Sequence, residues 1–423
     1  MDVNGDGYSD LVLAGQRGQP YVGEPYVAVV FGGETGLDPR HRAVLTRADL
    51  DLPEEELEGG APAPLGVGAT GDLDGDGCTD LLLGGTGGHI VWGGPEGPEG
   101  PAAPVGGALA DSPSDADGPT TAVADFDGDG ALDIAALELH LDADPDRLEG
   151  AYLRGPFARS GRPAAALDLP LPSAPAGDAL SERVAAIDAN GDAAVDLLRE
   201  REGDESPVTH PVLASAEGTG PTAEELGTTP SGHGLATGDV DGDGAPDLLV
   251  AAHGVPNNEN QLGEADPELH PGYVDVYSGA EGFARGEPAR ITRATPGVPG
   301  RAEDGDGFGH TLLVADVNGD GYDDAVVPMD TRGATRAIAV LPGGPEGIVR
   351  GRAADLRLPA DDADRPDAWT VHALRDYTGD GTADLLLEIP HAGDGGHARF
   401  ALYPGTAEGL FPRPLADFTT EGF

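Results

Sequence analysis

The sequence predicts an all-β chain: a seven-bladed β-propeller of four-stranded antiparallel blades, with the first blade lacking its innermost strand. Three observations lead there. An acidic, glycine-punctuated loop of nine residues occurs seven times along the 423 residues, about sixty residues apart, which marks a repeat architecture. Short apolar runs flank each loop, with no long stretch of helical periodicity between them. Gly (68) and Pro (38) together make about a quarter of the chain, and the glycines recur in step with the loops, as in a turn-dense β protein.

The loop is clearest at Asp72-Leu73-Asp74-Gly75-Asp76-Gly77-Cys78-Thr79-Asp80. It offers oxygens at positions 1, 3, 5 and 9, with glycines at 4 and 6. Carboxylates this close repel one another unless a cation sits among them, and a hard, oxygen-seeking ion of flexible coordination is Ca²⁺. Glycine supplies the positive φ that wraps the chain round an ion.

The candidate calcium ligands follow by position. They are Asp2, Asn4, Asp6, Tyr8 and Asp10 in the first loop, and Asp72, Asp74, Asp76, Cys78 and Asp80 in the second. The third offers Asp125, Asp127, Asp129, Ala131 and Asp133, and the fourth Asp188, Asn190, Asp192, Ala194 and Asp196. The fifth has Asp239, Asp241, Asp243, Ala245 and Asp247, and the sixth Asp316, Asn318, Asp320, Tyr322 and Asp324. The seventh has Asp376, Thr378, Asp380, Thr382 and Asp384. Position 7 varies freely because it would use its backbone carbonyl, as in EF-hand loops. Position 2 is always apolar (Val3, Leu73, Phe126, Ala189, Val240, Val317, Tyr377), so it should point into the body. An EF-hand is excluded: position 12 is Leu13, Leu83, Ala136, Arg199, Val250, Val327 or Leu387 rather than Glu. Loop four, with Ala193 where glycine belongs, and loop seven, with Thr378 at position 3, are expected to bind most weakly.

Each repeat then reads as a strand, the loop, a second strand, a third alternating strand such as Tyr26–Phe31 or Tyr273–Tyr277, a Gly-x-x-Gly turn, and a weaker polar strand. The runs beside each loop are expected to be buried. Four antiparallel strands repeated radially close on themselves and leave few exposed edges. The whole of residues 1–423 is expected to form one propeller domain.

Phe308-Gly309, followed by Asp316-Val317-Asn318-Gly319-Asp320-Gly321 and Asp324-Ala325-Val326-Val327, resembles the FG-GAP repeat, and the chain is also similar to the broader VCBS class of repeats. The resemblance implies the propeller of integrin α subunits and of many secreted bacterial proteins, with structural calcium. The Phe-Gly pair survives in the sixth repeat, and no copy keeps a clear Gly-Ala-Pro.

Net charge is −52, which argues against nucleic acid and anionic membrane surfaces as partners. No run of 18 apolar residues is present. Gly66–Gly71 matches G-x-G-x-x-G but runs into a calcium loop instead of opening a helix, so it is read as a strand. The sole cysteine, Cys78, stands at a position-7 site and is read as structural. No catalytic motif is found. The expectation is a secreted, calcium-stabilised binding or adhesion module without catalytic activity, and a monomer. Its protein or glycan ligand would sit on the face opposite the calcium loops, on Gln16–Pro25, His253–Gly272 and Ala294–Gly307. Two alternatives remain open: a carbohydrate-binding propeller, and the propeller of a calcium-dependent polysaccharide-degrading enzyme. Because millimolar calcium is found outside the cytoplasm and the chain opens inside its first loop, an export signal and a first strand are expected upstream of Met1.

Overall fold

Strand follows strand throughout the computed structural model, which describes residues 1–17, 23–54, 56, 60–84, 88–105, 120–140, 147–171, 179–189, 194–203, 210–229, 234–252, 272–279, 283, 288–298, 300–302, 307–329, 337–348, 354–357, 369–390 and 398–423. These residues form seven antiparallel sheets, six of four strands and one of three. No helix among them is long and apolar enough to cross a membrane.

The first blade has three strands, Leu11–Arg17, Glu24–Val30 and Arg42–Thr46. The second runs Gly66–Gly71, Asp80–Gly84, His89–Trp92 and Glu99–Pro104, and the others repeat that order from the centre outward. In blades two to seven the acidic loop is the turn of the inner hairpin, and it sets one register. The residue before position 1 pairs with the Asp at position 9: Gly71 with Asp80, Ala124 with Asp133, Ile187 with Asp196, Gly238 with Asp247, Ala315 with Asp324, Arg375 with Asp384. In the first blade the Met1 carbonyl takes the Asp10 N–H at 2.6 Å, the same step of the ladder.

The two strands flanking each loop differ in burial, which corrects the expectation that both are buried. The second strand is sealed in blades such as the fifth, where every residue of Asp247–Ala252 is buried, and only partly so in the first, at Leu11–Arg17. The innermost strand is half-exposed along its length, as in Gly66–Gly71 and Thr370–Arg375. Its Gly, Ala and Thr residues are small because strands converge toward the axis, where the blades leave least room.

Apolar side chains gather between blades, not within them. Position 2 of each loop stands in one such layer. Val3 packs with Val29, Leu65 and Leu81 between blades one and two, and Leu73 with Ile134 and Leu153 between two and three. Phe126, Ala189, Val240 and Val317 occupy the next four layers. Tyr377 completes the series against Leu11, Tyr26 and Val30, so the seventh blade meets the first. That junction is fastened further from the strand Ala416–Thr419, which is the outermost of the seventh blade, paired with Ala398–Tyr403. Beyond it, Arg17 Nε donates to the Phe423 carbonyl at 2.8 Å, and the Arg42 guanidinium lies 4.4 Å from the Phe423 ring centre.

The third and fourth strands of blades three and four carry no simple alternation and escape the sequence reading: Arg147–Arg154 with Ala165–Asp168, and His210–Ala216 with Gly220–Thr229. The glycine that follows the third strand is a further feature of the repeat. A Cβ on Gly93 would come within 2.5 Å of the Thr79 carbonyl oxygen, and on Gly343 within 2.3 Å of the Asp323 oxygen. Both oxygens belong to position 8 of the acidic loop, so the loop and the turn touch backbone to backbone. Gly93→Ala is expected to cost about 1–3 kcal/mol through overpacking, whereas Gly33→Ala, where a Cβ meets nothing within 4 Å, stays near neutral. Denaturant unfolding of the two variants checks this; equal stabilities would contradict it.

Candidate metal centres

Each acidic loop is folded by its own side chains. Glycines 4 and 6 have positive φ in all six loops whose tips are described, at 68–77° and 86–91°. With the chain so curled, the position-1 carboxylate accepts the N–H of position 6 at 2.7–3.0 Å in each. The position-5 carboxylate accepts the N–H of position 7 at 2.8–3.2 Å. The second of these is an Asx-type turn, and both are side chain-to-backbone bonds of the kind for which Asp and Asn are favoured in loops. In the fourth loop Asn190 and Asp192 lie outside the described residues; Asp188, Ala194 and Asp196 lie within them.

The Asp at position 9 is of a different kind. Asp10, Asp80, Asp133, Asp196, Asp247, Asp324 and Asp384 are all buried, at 0–1% exposure. One oxygen of each accepts the position-2 N–H at 2.8–3.2 Å. The other accepts an N–H at the end of the third strand at 2.8–3.0 Å, from Gly32, Gly93, Gly155, Ser215, Gly279, Gly343 or Gly405. One carboxylate thus ties the loop to the turn of its own blade. The loop then reaches across to the next blade. The carbonyl at position 2, or position 3 at Asp127, accepts an N–H from the following blade's third-to-fourth-strand turn at 2.6–3.2 Å, at all seven junctions. The pair Gly33 to Tyr377 closes the ring.

Position 7 does side-chain work that the sequence reading assigned to its carbonyl alone. A Cβ on Gly379 would lie 2.6 Å from Tyr8, on Gly242 2.6 Å from Tyr322, on Gly5 3.1 Å from the Cys78 sulfur, and on Gly319 3.2 Å from Thr382. In these pairs the side chain rests on the position-4 glycine of the preceding loop. Cys78 is buried there, and burial pushes its thiol up to about 11, so it is a packing group.

Among the described residues, candidate ligand oxygens converge in three loops. Asp72, Asp74 and Asp80 place theirs within 4.8 Å of one another, as do Asp125, Asp127 and Asp133, and Asp239, Asp241 and Asp247. Asp74 Oδ1 is buried without a hydrogen-bond partner, which is the state of an oxygen suited to a cation. Burial pushes the Asp74 and Asp241 carboxyls up. These clusters can bind metal ions. Elsewhere position 3 is turned to local bonds: Asn4 Nδ2 donates to Asp6 at 2.9 Å, Asn318 Nδ2 to Asp324 at 3.1 Å, and the Thr378 hydroxyl to Asp376 at 3.3 Å. Arginines absent from the sequence reading join two loops: Arg159 pairs with Asp74 and Asp76, and Arg154 with Asp127 and, at 3.6 Å, with Asp129.

Burial pushes Asp80 up to about 7 and Asp10, Asp247, Asp324 and Asp384 up to about 6, while the backbone N–H bonds pull the other way. The unfolded chain titrates near the ordinary carboxylate value of about 4. The folded, metal-free protein therefore binds more protons between pH 4 and 7, and the stability from these groups is lost as pH rises through 6 to 7. In chelator the melting temperature should fall from pH 5 to pH 8, and saturating divalent cation should reduce that fall. Thermal scans across this range test it; a chelated protein more stable at pH 8 than at pH 5 would contradict it.

The family model for the FG-GAP repeat matches residues 231–265 and 308–338, which span the fifth and sixth acidic loops' blades in part. No curated protein matches the chain. Among solved structures it is similar to an exotype rhamnogalacturonan lyase, YesX, at 14% identity and a TM-score of 0.40, over 95% of this chain and 74% of that one. The rhamnogalacturonan lyase YesW is similar at 13% identity and 0.38, over 92% and 80%. A rhamnogalacturonan lyase from Bacillus licheniformis is similar at 14% and 0.38, over 93% and 81%. The expectations of a non-catalytic adhesion module and of no enzyme activity are not what these matches carry: all three are rhamnogalacturonan lyases. The segment His253–Gly272, on which a ligand face was expected, falls almost wholly outside the described residues. Seven blades around one ring make this chain a β-propeller, and two of its blades carry matches to the FG-GAP repeat.

Proposed function

We propose that the acidic loops bind Ca²⁺, that the ions hold the propeller in shape outside the cytoplasm, and that the loaded propeller acts on polysaccharide. One observation carries the calcium reading: the same all-oxygen loop, curled by two positive-φ glycines, recurs with one geometry in six described copies and clusters its carboxylates in three. All-oxygen donors without Cys or His ligands suit Ca²⁺ better than a softer ion. In the loops, positions 1, 3, 5 and 9 would hold the ion, and the ion would neutralise carboxylates otherwise left to repel. At ~1 mM calcium and a dissociation constant of ~10⁻⁴ M, each site adds roughly 1.4 kcal/mol.

The polysaccharide reading takes up the alternative left open by the sequence, and rhamnogalacturonan is the first substrate to assay. With a net charge of −52, an acidic glycan would approach through bound cations or arginines. Incubation of the calcium-loaded protein with rhamnogalacturonan is expected to release shorter fragments. Neither fragment release nor retention on the immobilised polysaccharide would reject this half of the proposal.

The two classes of loop carboxylate are separable in the fifth loop. Asp243→Ala removes an outer ligand and is expected to cost about 1–2 kcal/mol in millimolar calcium and little in chelator. Asp247→Ala frees two buried N–H groups, those of Val240 and Gly279, and is expected to cost about 2–4 kcal/mol in both conditions. Paired unfolding curves with calcium and with chelator decide it. An Asp243→Ala loss that is independent of calcium would remove the case for an ion there.

A further inference from the structure

We infer that Arg159 and Arg154 are built-in counter-cations of the second and third loops, which compete with calcium there and keep those loops folded without it. The inference rests on the calcium reading above and concerns how occupancy is graded among the loops.

Arg159 comes from the third blade, in the turn after the strand Arg147–Arg154, and crosses to the second blade's loop. Its Nε meets Asp74 Oδ2 and a terminal nitrogen meets Asp76 Oδ2, the carboxylates at positions 3 and 5. A third nitrogen lies 3.3 Å from Glu99. The arrangement is held from both ends. The guanidinium lies 5.2 Å from the Trp92 ring centre, and Trp92 Nε1 donates to the Arg159 carbonyl at 3.0 Å. The Asp74 side chain is 10% exposed, with Oδ2 on the arginine and Oδ1 buried without a hydrogen-bond partner. That carboxylate therefore faces the guanidinium on one side, while the loop's oxygens gather with Asp72 and Asp80.

The third loop reaches the same result by another route. Arg154 ends the third strand of its own blade and pairs with Asp127 and Asp129, again positions 3 and 5. The fifth loop has the same four carboxylates, yet among the described residues Asp241 and Asp243 form no ion pair with an arginine. A monovalent guanidinium sharing two ligands with a dication repels it across a few ångströms, and it also relieves carboxylate repulsion when no ion is present. Carboxylate count alone ranks loops two, three and five together. The arginines lower the affinity of the first two and leave the fifth tightest.

The test uses the full chain and two probes, Ca²⁺ by calorimetry and Tb³⁺ luminescence excited through Trp92, with Trp92→Phe as the control that removes second-loop emission. Arg159→Gln is expected to tighten the second-loop site by about tenfold, to lower the melting temperature in chelator, and to leave the fifth loop's affinity unchanged. Arg159→Lys keeps the charge without the two-pronged contact and is expected to fall between, which preserves the test if the Gln variant is unstable. Unchanged or weaker second-loop binding, with the other loops filling normally, would overturn this inference alone. A wild-type protein that takes up no calcium at any loop would overturn it together with the calcium reading.

Discussion

The buried carboxylate at position 9 is the interaction on which the rest of the ring depends. Seven times, one aspartate side chain accepts two backbone N–H groups, one from its own loop and one from the turn beside it. These bonds are buried, so losing the carboxylate strands both N–H groups. With the loop pinned, its position-2 side chain enters the apolar layer between blades, and its position-2 carbonyl meets the next blade's turn. Blade, loop and junction are therefore one device, repeated around the ring. Closure between the seventh and first blades uses the same parts, with Tyr377 and Gly33 in the roles that Val3 and Gly94 fill one blade on.

The device has an electrostatic cost. Burial drives the position-9 carboxyls upward, and the remaining loop carboxylates add repulsion on the same face. Three remedies are visible. Backbone N–H groups turn inward to the carboxylates at positions 1 and 5 in the six loops whose tips are described. Asn4 and Asn318 replace a charge by an amide. Arginines are laid across the second and third loops. A cation would be the fourth and strongest remedy, because it meets several oxygens at once.

Much of this was legible in the sequence because the repeat shows itself through small, stiff signals. Glycine at positions 4 and 6 marks positive φ, and an apolar residue at position 2 marks the inter-blade layer; both are found in place. The missing inner strand of the first blade followed from counting runs. What escaped was carried by contacts between distant residues. Nothing in the spacing relates Arg159 to Asp76, 83 residues earlier, or makes Gly93 and Gly343 differ from any other turn glycine until a neighbouring carbonyl is seen to fill the space. The double role of position 9 was hidden for a related reason. An aspartate that closes a loop reads as a ligand, and its two N–H partners belong to backbone, which leaves no mark on residue type except the glycine at the turn. Blades three and four were hardest, since Arg147–Arg154 and Gly220–Thr229 carry charges, and the second a proline, across what are nevertheless paired strands.

The most direct measurement is native-state hydrogen exchange of the clamped amides in chelator. The Leu73, Gly93, Val240 and Gly279 N–H groups donate to buried position-9 carboxylates, whereas the Gly77 and Gly244 N–H groups donate to half-buried position-1 carboxylates in the same loops. If the clamp holds the ring together without metal, the first set exchanges only through global unfolding while the second exchanges by local opening, and added calcium slows the second set far more than the first. Clamped amides that exchange as fast as the loop tips in chelator, and become protected only when calcium is added, would contradict the account.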